Sequence, residues 1–288
     1  EWIIDGLVVR YPFLSAGVIG KSVMGKDIHS LWIGTGEKQV FYSASYHANE
    51  SITTPVLLTF VEEYAAAYAA GGNIVFSSAV REEHSGQTGM GQESVDARTL
   101  FDEYRLCMVP LVNPDGVDLV NGLLNSGIYY RRARQIADDY PAIPFPDGWK
   151  ANIDGVDLNL QFPAGWEMAK QIKFSQGYDK PAPRDFVGEA PLTAPESVAV
   201  YELTKENDFL LILAYHTQGE VIYWKYLDYE PARSKEIADY FASVSGYAVE
   251  ETPSASGYAG YKDWFIEEYD RPGYTVEAGM GENPQIGR

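Results

Sequence analysis

The sequence predicts an α/β fold, and three observations carry that reading. Apolar, β-branched and aromatic runs at 40–46, 106–112 and 209–215 read as buried strands. Segments with helical spacing lie between such runs, beginning with Val56, Phe60 and Tyr64 and closing on Gly71-Gly72. Two of the runs lead into histidine, His47 and His216, and a last strand-like run ends in Glu277. Ligands of open α/β sheets bind at the carboxyl ends of the strands, so these polar ends point to the functional edge.

Composition sets the bounds. The 288 residues are 45% hydrophobic and 14% aromatic, enough for the core of one large α/β domain. Lys and Arg number 22 against 41 Asp and Glu, a formal net charge of −19. Such a surface repels phosphate backbones and anionic lipids, which disfavours nucleic acid and membrane surfaces as partners. No apolar span reaches the length of a transmembrane helix. The lone cysteine, Cys107, excludes an intramolecular disulfide and sits in an apolar run, where it reads as inert core. The chain opens on Glu1 rather than Met and shows no signal peptide, as expected of a processed or trimmed form.

Taken in order, residues 3–9 are apolar and Tyr11-Pro12-Phe13 is a break. Leu31-Trp32-Ile33 and the turn Gly34-Thr35-Gly36 give an antiparallel lead into the 40–46 strand. Pro55 suits the first turn of the helix that follows. Residues 73–77 read as a strand, 81–91 as a polar loop carrying a solvent-exposed His84, and 94–104 as a short helix. The continuous apolar run at 106–112 fits a strand covered on both faces, and Asn113-Pro114-Asp115-Gly116 is a strong turn signal. Residues 121–154 look irregular, with Arg131-Arg132-Ala133-Arg134 mostly a solvated basic patch, and 154–159 reads as a short turn and strand. A Gly/Pro-rich connection covers 162–195, long enough to suggest function. Thr193-Ala194-Pro195-Glu196 reads as a capping box opening a helix to about Asn207. Helices follow at 231–245, closed by Gly246, and at 262–269, before the last strand at 274–277.

His47 and Glu50 fall on a strand-to-helix turn, where a bend can aim both at one ion. With His216 and Glu277 the chain offers two imidazoles and two carboxylates at strand ends of a mainly parallel sheet. Two histidines and one carboxylate suit Zn²⁺ with a position left for water, and a spare carboxylate can move protons. Metal-assisted hydrolysis of an amide needs that set, plus a cation for the developing oxyanion.

These pieces resemble the zinc carboxypeptidase family. The resemblance rests on His47-Ala48-Asn49-Glu50, Asn113-Pro114-Asp115-Gly116, Tyr130-Arg131-Arg132-Ala133-Arg134, Gly155-Val156-Asp157-Leu158-Asn159, His216 after its strand, and Thr275-Val276-Glu277. It implies a mixed, mostly parallel eight-stranded sheet with helices on both faces. It also implies one zinc ion held by His47, Glu50 and His216, Glu277 as general base and acid, and Arg131 polarising the scissile carbonyl. Asn159, Leu160, Arg132 and Tyr258 become the substrate-binding positions, Tyr258 as the nearest match to a covering tyrosine, with Tyr261 second. Two departures stand out. Asn49 replaces the usual Arg before the ligand Glu, and Leu160 replaces the Arg that grips a substrate's C-terminal carboxylate.

Residues 157–166 and 279–284 are similar to a bacterial branch, the γ-D-glutamyl-L-diamino acid peptidases. The implied reaction is hydrolysis of the γ-D-glutamyl to diaminopimelate or lysine bond of a peptidoglycan stem peptide. A zinc carboxypeptidase or amide deacylase with another substrate, and an inactive peptidoglycan-binding module, are the alternatives. Residues 1–288 are expected to form a single catalytic domain, trimmed at both ends. The cell envelope is the expected location, with cytoplasmic recycling of stem peptides as the alternative; the sequence leaves oligomeric state open.

Overall fold

The computed structural model describes residues 1–81 and 88–284, so His84 lies outside the described residues. In chain order the elements are α1 (Trp2–Arg10), β1 (Ser15–Lys21), β2 (Asp27–Ile33), β3 (Lys38–Ala44), α2 (Thr53–Ala70), β4 (Asn73–Arg81), β5 (Thr88–Asp96), α3 (Ala97–Glu103) and β6 (Tyr104–Val109). There follow α4 (Pro114–Val120), α5 (Gly127–Asp138), α6 (Trp166–Ser175), α7 (Pro195–Lys205), β7 (Phe209–His216), β8 (Val221–Tyr223), α8 (Ser234–Ser245), β9 (Ala248–Glu250), α9 (Tyr261–Tyr269) and β10 (Gly273–Glu277).

Eight strands form one mixed sheet in the order β1-β2-β6-β3-β7-β10-β8-β9. Its centre, β6-β3-β7-β10, is parallel throughout. The antiparallel pairings are β1 with β2, β2 with β6, and β10 with β8. Side chains alternate between the faces of a strand, and β6 shows the consequence. Leu106 and Met108 pack with Ile4, Leu7, Val61 and Phe101, from the helices of one face. Cys107 and Val109 pack with Val200, Leu203 and Phe265, from the helices of the other. Because both faces are covered, the strand is apolar without interruption. Phe41 of β3 is fully buried and stacks on Phe209 of β7 at 5.1 Å, tying the two central strands together.

Several local expectations change. Residues 3–9 belong to α1, and part of the expected 81–91 loop is strand: β4 and β5 form a separate antiparallel hairpin that also claims 94–96. The irregular stretch contains α5, whose fully buried residues are small, Ala133 and Ala137, with Tyr129, Tyr130 and Ile136 partly buried beside them. Residues 154–159 form no strand; a 3-10 turn at Leu158–Leu160 takes their place. The 162–195 connection carries α6. Asn113 begins α4 as its N-cap, accepting from the Gly116 N–H at 3.0 Å. The capping box does not form. Glu196 is fully buried and accepts from Val23 N and Asn152 Nδ2, each at 3.1 Å, which leaves Ala194 as the cap. Among the described residues no helix is long and apolar enough to cross a membrane.

Truncating the stacked pair tests the core. Phe41→Ala should lower the free energy of unfolding by about 3–5 kcal/mol, read by denaturant titration; a loss below about 1 kcal/mol would show that β3 and β7 do not depend on this contact.

Candidate metal centre

The centre is built where β3 stops. Ser45 takes a φ of 54°, a left-handed turn that costs a non-glycine residue about 1–2 kcal/mol. Buried hydroxyls hold it there. Ser45 N donates to Thr53 Oγ1 at 3.1 Å, Ser45 Oγ lies 2.9 Å from the same atom, and Thr53 Oγ1 donates to Glu50 O at 2.8 Å. The chain then makes a short 3-10 turn, Ala48–Glu50, with His47 as its cap. Asn113 braces this turn from below by donating to Tyr46 O and Ala151 O, each at 3.0 Å. Gly116 must be glycine at this point, since a Cβ there would sit 2.8 Å from the Ala48 Cβ and 2.8 Å from Ala151 O.

Strand register supplies the remaining groups. On β7 and β10, His216 and Glu277 are direct partners; on β3 and β7, Ala44 faces Tyr215. Three neighbouring parallel strands therefore end at one level, and their tips carry the polar residues.

The side chains converge tightly. His47 Nδ1 lies 2.9 Å from Glu50 Oε1, His216 Nδ1 lies 3.0 Å from Glu50 Oε2, and the two Nδ1 atoms are 3.2 Å apart. A tetrahedral ion with bonds of about 2.0–2.1 Å has ligand-to-ligand edges of roughly 3.3–3.4 Å, close to these spacings. Two imidazole Nδ1 atoms and a carboxylate at these spacings are arranged as three ligands of one cation. This donor set fits zinc.

A second layer orients it. His47 Nε2 donates to Asp157 Oδ1 at 3.1 Å, which turns Nδ1 of the ring toward Glu50 and His216. Asp157 in turn accepts from Asn159 N at 3.2 Å and Asp185 N at 3.1 Å. Gly155, at φ 79°, makes the turn that brings Asp157 in. Tyr46 stacks on the His216 ring at 5.6 Å. Lys150 Nζ donates to Glu50 Oε1 at 2.7 Å, and Thr217 N reaches Glu50 Oε2 at 3.3 Å.

Electrostatics follow from the crowding of acids. Burial alone would lower the His47 pKa, but Glu50 and Asp157 outweigh it and lift it to about 9. Burial works to raise Glu50, yet His47, Lys150 and His216 hold it well below the carboxylate range. Glu277 moves the other way: burial, reinforced by Glu50, raises its pKa against the pull of His216, Lys150 and His47.

One cavity joins these groups. Its lining includes His47, His216 and Glu277 with Asn159 and Leu160, as the sequence positions suggested. The other expected residues lie elsewhere. Arg131 is exposed on α5 and Arg132 pairs with Asp154 at 2.7 Å; neither lines the cavity, because α5 packs through Ala133 and Ala137 and turns its arginines to solvent. Tyr258 packs against the Tyr226 ring at 6.4 Å and close to Gly165, outside the lining. The cations that do line it are Lys150, Lys173, Arg184 and Lys262. Sequence reasoning missed Lys150 and gave Asp157 no role. The signal for both was their place either side of the Gly155 turn.

A family model for zinc carboxypeptidases matches residues 1–283. The chain is 44% identical over 283 residues to γ-D-glutamyl-L-diamino acid endopeptidase 1 of Lysinibacillus sphaericus, covering 98% of this chain and 64% of that protein. It is 42% identical over 285 residues to the uncharacterized protein YqgT of Bacillus subtilis (strain 168), covering 98% and 69%. The chain thus spans somewhat under two thirds of the length of the endopeptidase. A carboxypeptidase A from Helicoverpa armigera superposes with a TM-score of 0.68 at 18% identity, over 98% of this chain and 65% of that one, a shared fold.

The geometry predicts graded losses of metal. His216→Ala should abolish stoichiometric zinc measured by atomic emission, whereas Asp157→Asn should keep the ligands and weaken zinc affinity about 10–100-fold in a chelator competition. Unchanged zinc content in His216→Ala would remove His216 from the centre.

Proposed function

The chain belongs to the zinc carboxypeptidase family and is a zinc peptidase, and we propose that it hydrolyses the γ-D-glutamyl to diamino acid bond, to diaminopimelate or lysine, in peptidoglycan stem peptides. Residues 1–288 would act as one catalytic domain. The observation that carries the substrate class is the 44% identity, over nearly the whole chain, to an endopeptidase whose name states that specificity. Leu160 at the cavity supports it, because an apolar side chain cannot replace a bidentate guanidinium clamp on a C-terminal carboxylate. An enzyme lacking that clamp is poorly suited to ordinary C-terminal trimming.

Zinc, when bound by His47, Glu50 and His216, polarises a carbonyl and lowers the pKa of water toward about 7. The chain supplies the rest. Glu277 takes a proton from the attacking water as its oxygen bonds to the carbonyl carbon. The same carboxyl then hands the proton to the amine nitrogen as the C–N bond breaks. The raised pKa of Glu277 suits that return step. Lys150, whose ammonium reaches Glu50 within the same cavity, is the cation placed to stabilise the carbonyl oxygen as it gains charge, in place of the exposed Arg131. Asp157 keeps the His47 ring in the tautomer and orientation that the centre needs.

Incubation with L-Ala-γ-D-Glu-diaminopimelate should release a diaminopimelate product, and a chelator should stop it; no cleavage by zinc-loaded protein would overturn the reading. Glu277→Gln should lower kcat by about 10²–10⁴ with zinc retained, and Lys150→Met by about 10²–10³, while Arg131→Ala stays within twofold of wild type. A tenfold loss in Arg131→Ala with normal activity in Lys150→Met would reverse that assignment.

A further inference from the structure

Residues 278–283 run on from Glu277 and take no part in the chemistry above, yet they are bonded at three places to the segment that ends β7. Ala278 N donates to His216 O at 2.8 Å, and Gly219 N donates to Gly279 O at 2.9 Å. Between them Thr217 and Asn283 form a reciprocal pair. Thr217 Oγ1 donates to Asn283 Oδ1 at 2.8 Å, and Asn283 Nδ2 donates to Thr217 O at 3.2 Å. One side chain thus meets two of the three polar groups of Thr217. The third, its backbone N–H, donates to Glu50 Oε2 at 3.3 Å.

Thr217 has nothing else to fix its backbone in that direction. His216 opposite Glu277 is the last pair of the β7–β10 ladder, and Tyr215 opposite Ala44 is the last of β3–β7, so strand register stops one residue short of Thr217. What that N–H meets matters to the metal centre. Glu50 Oε1 has His47 Nδ1 at 2.9 Å and Lys150 Nζ at 2.7 Å, whereas Oε2 has His216 Nδ1 at 3.0 Å and Thr217 N. A histidine that ligates through Nδ1 has no proton there to give. Among the described residues, Thr217 N–H is then the donor left to orient Oε2. Its aim depends on a side chain 66 residues away.

We infer that Asn283 is a positioning residue for the metal centre: by clamping Thr217 it directs the Thr217 N–H at Glu50 Oε2, and so sets how tightly zinc is held. Partners that orient a ligand from outside the coordination sphere typically contribute about 10–100-fold in metal affinity. The inference rests on the zinc centre and not on which peptide is cleaved. A clamp that served folding alone would stabilise the protein with or without metal and leave its affinity for zinc unchanged.

Chelator competition for zinc, together with the visible spectrum of the cobalt(II)-loaded protein at saturating metal, tests this on the whole chain. Asn283→Ala should weaken zinc binding about tenfold or more and shift the cobalt bands. Thr217→Val, which removes the hydroxyl and keeps the N–H, should weaken zinc binding as well, while Thr217→Ser should stay within about threefold of wild type. Both side chains act through one contact, so Asn283→Ala combined with Thr217→Val should lose about as much as Asn283→Ala alone. Zinc affinity within about threefold of wild type in Asn283→Ala, with an unchanged cobalt spectrum, overturns the inference even if that variant melts earlier. Independent, multiplying losses in the double variant overturn it too. Should Asn283→Ala fail to fold, Thr217→Val against Thr217→Ser decides by the same two measurements: equal affinities and spectra overturn the inference. A wild-type protein that takes up no zinc removes the centre and the inference together.

Discussion

Ladder hydrogen bonds between β3, β7 and β10 set the level at which three parallel strands stop, and that level is where the chemistry sits. Glu277 stands opposite His216, and Tyr215 opposite Ala44, three residues before His47. A slip of one residue would send each strand's side chains to the other face of the sheet, so the register also aims the groups. What holds the register is the packing of both faces, with Phe41 on Phe209 at its centre. His47 and His216, 169 positions apart in sequence, then need no flexible loop to meet at a cavity.

The second constraint is charge. Glu50, Asp157 and Glu277 gather around two imidazoles in a mostly buried site, and the elevated pKa of His47 expresses the demand for positive charge there. Lys150 answers part of it through Glu50. The protein as a whole carries −19, yet this cavity is lined by four cations. Lys173 and Arg184 both pair with Asp185, at 2.6 Å each, and Asp185 N in turn holds Asp157. Four carboxylates, Asp157, Asp185, Asp263 and Glu277, line the same cavity, so its cations stand paired among acids.

Much of this was legible in the residues. The buried strands announced themselves because a strand covered on both faces has no polar alternation to dilute it, and a strand that ends abruptly in His or Glu marks its own carboxyl end. Arg131 lies outside the cavity because α5 turns it to solvent; the helix packs through Ala133 and Ala137, with Tyr129, Tyr130 and Ile136 partly buried against the same cluster. Lys150 was hidden by its neighbours, a proline-rich stretch without periodicity, and only the fold shows it reaching Glu50. Glu196 illustrates the same limit. Its spacing matches a capping box, but long-range partners at Val23 and Asn152 claim the carboxylate instead. Local rules fail where tertiary contacts offer a better partner.

The central claim is that two Nδ1 atoms and one carboxylate from these strand ends hold a single zinc ion. Anomalous diffraction collected at the zinc edge from crystals of the zinc-loaded protein tests it most directly. The account predicts one peak about 2.0–2.1 Å from His47 Nδ1, His216 Nδ1 and a Glu50 oxygen. A peak bound by other residues, or none between these three side chains, would contradict it.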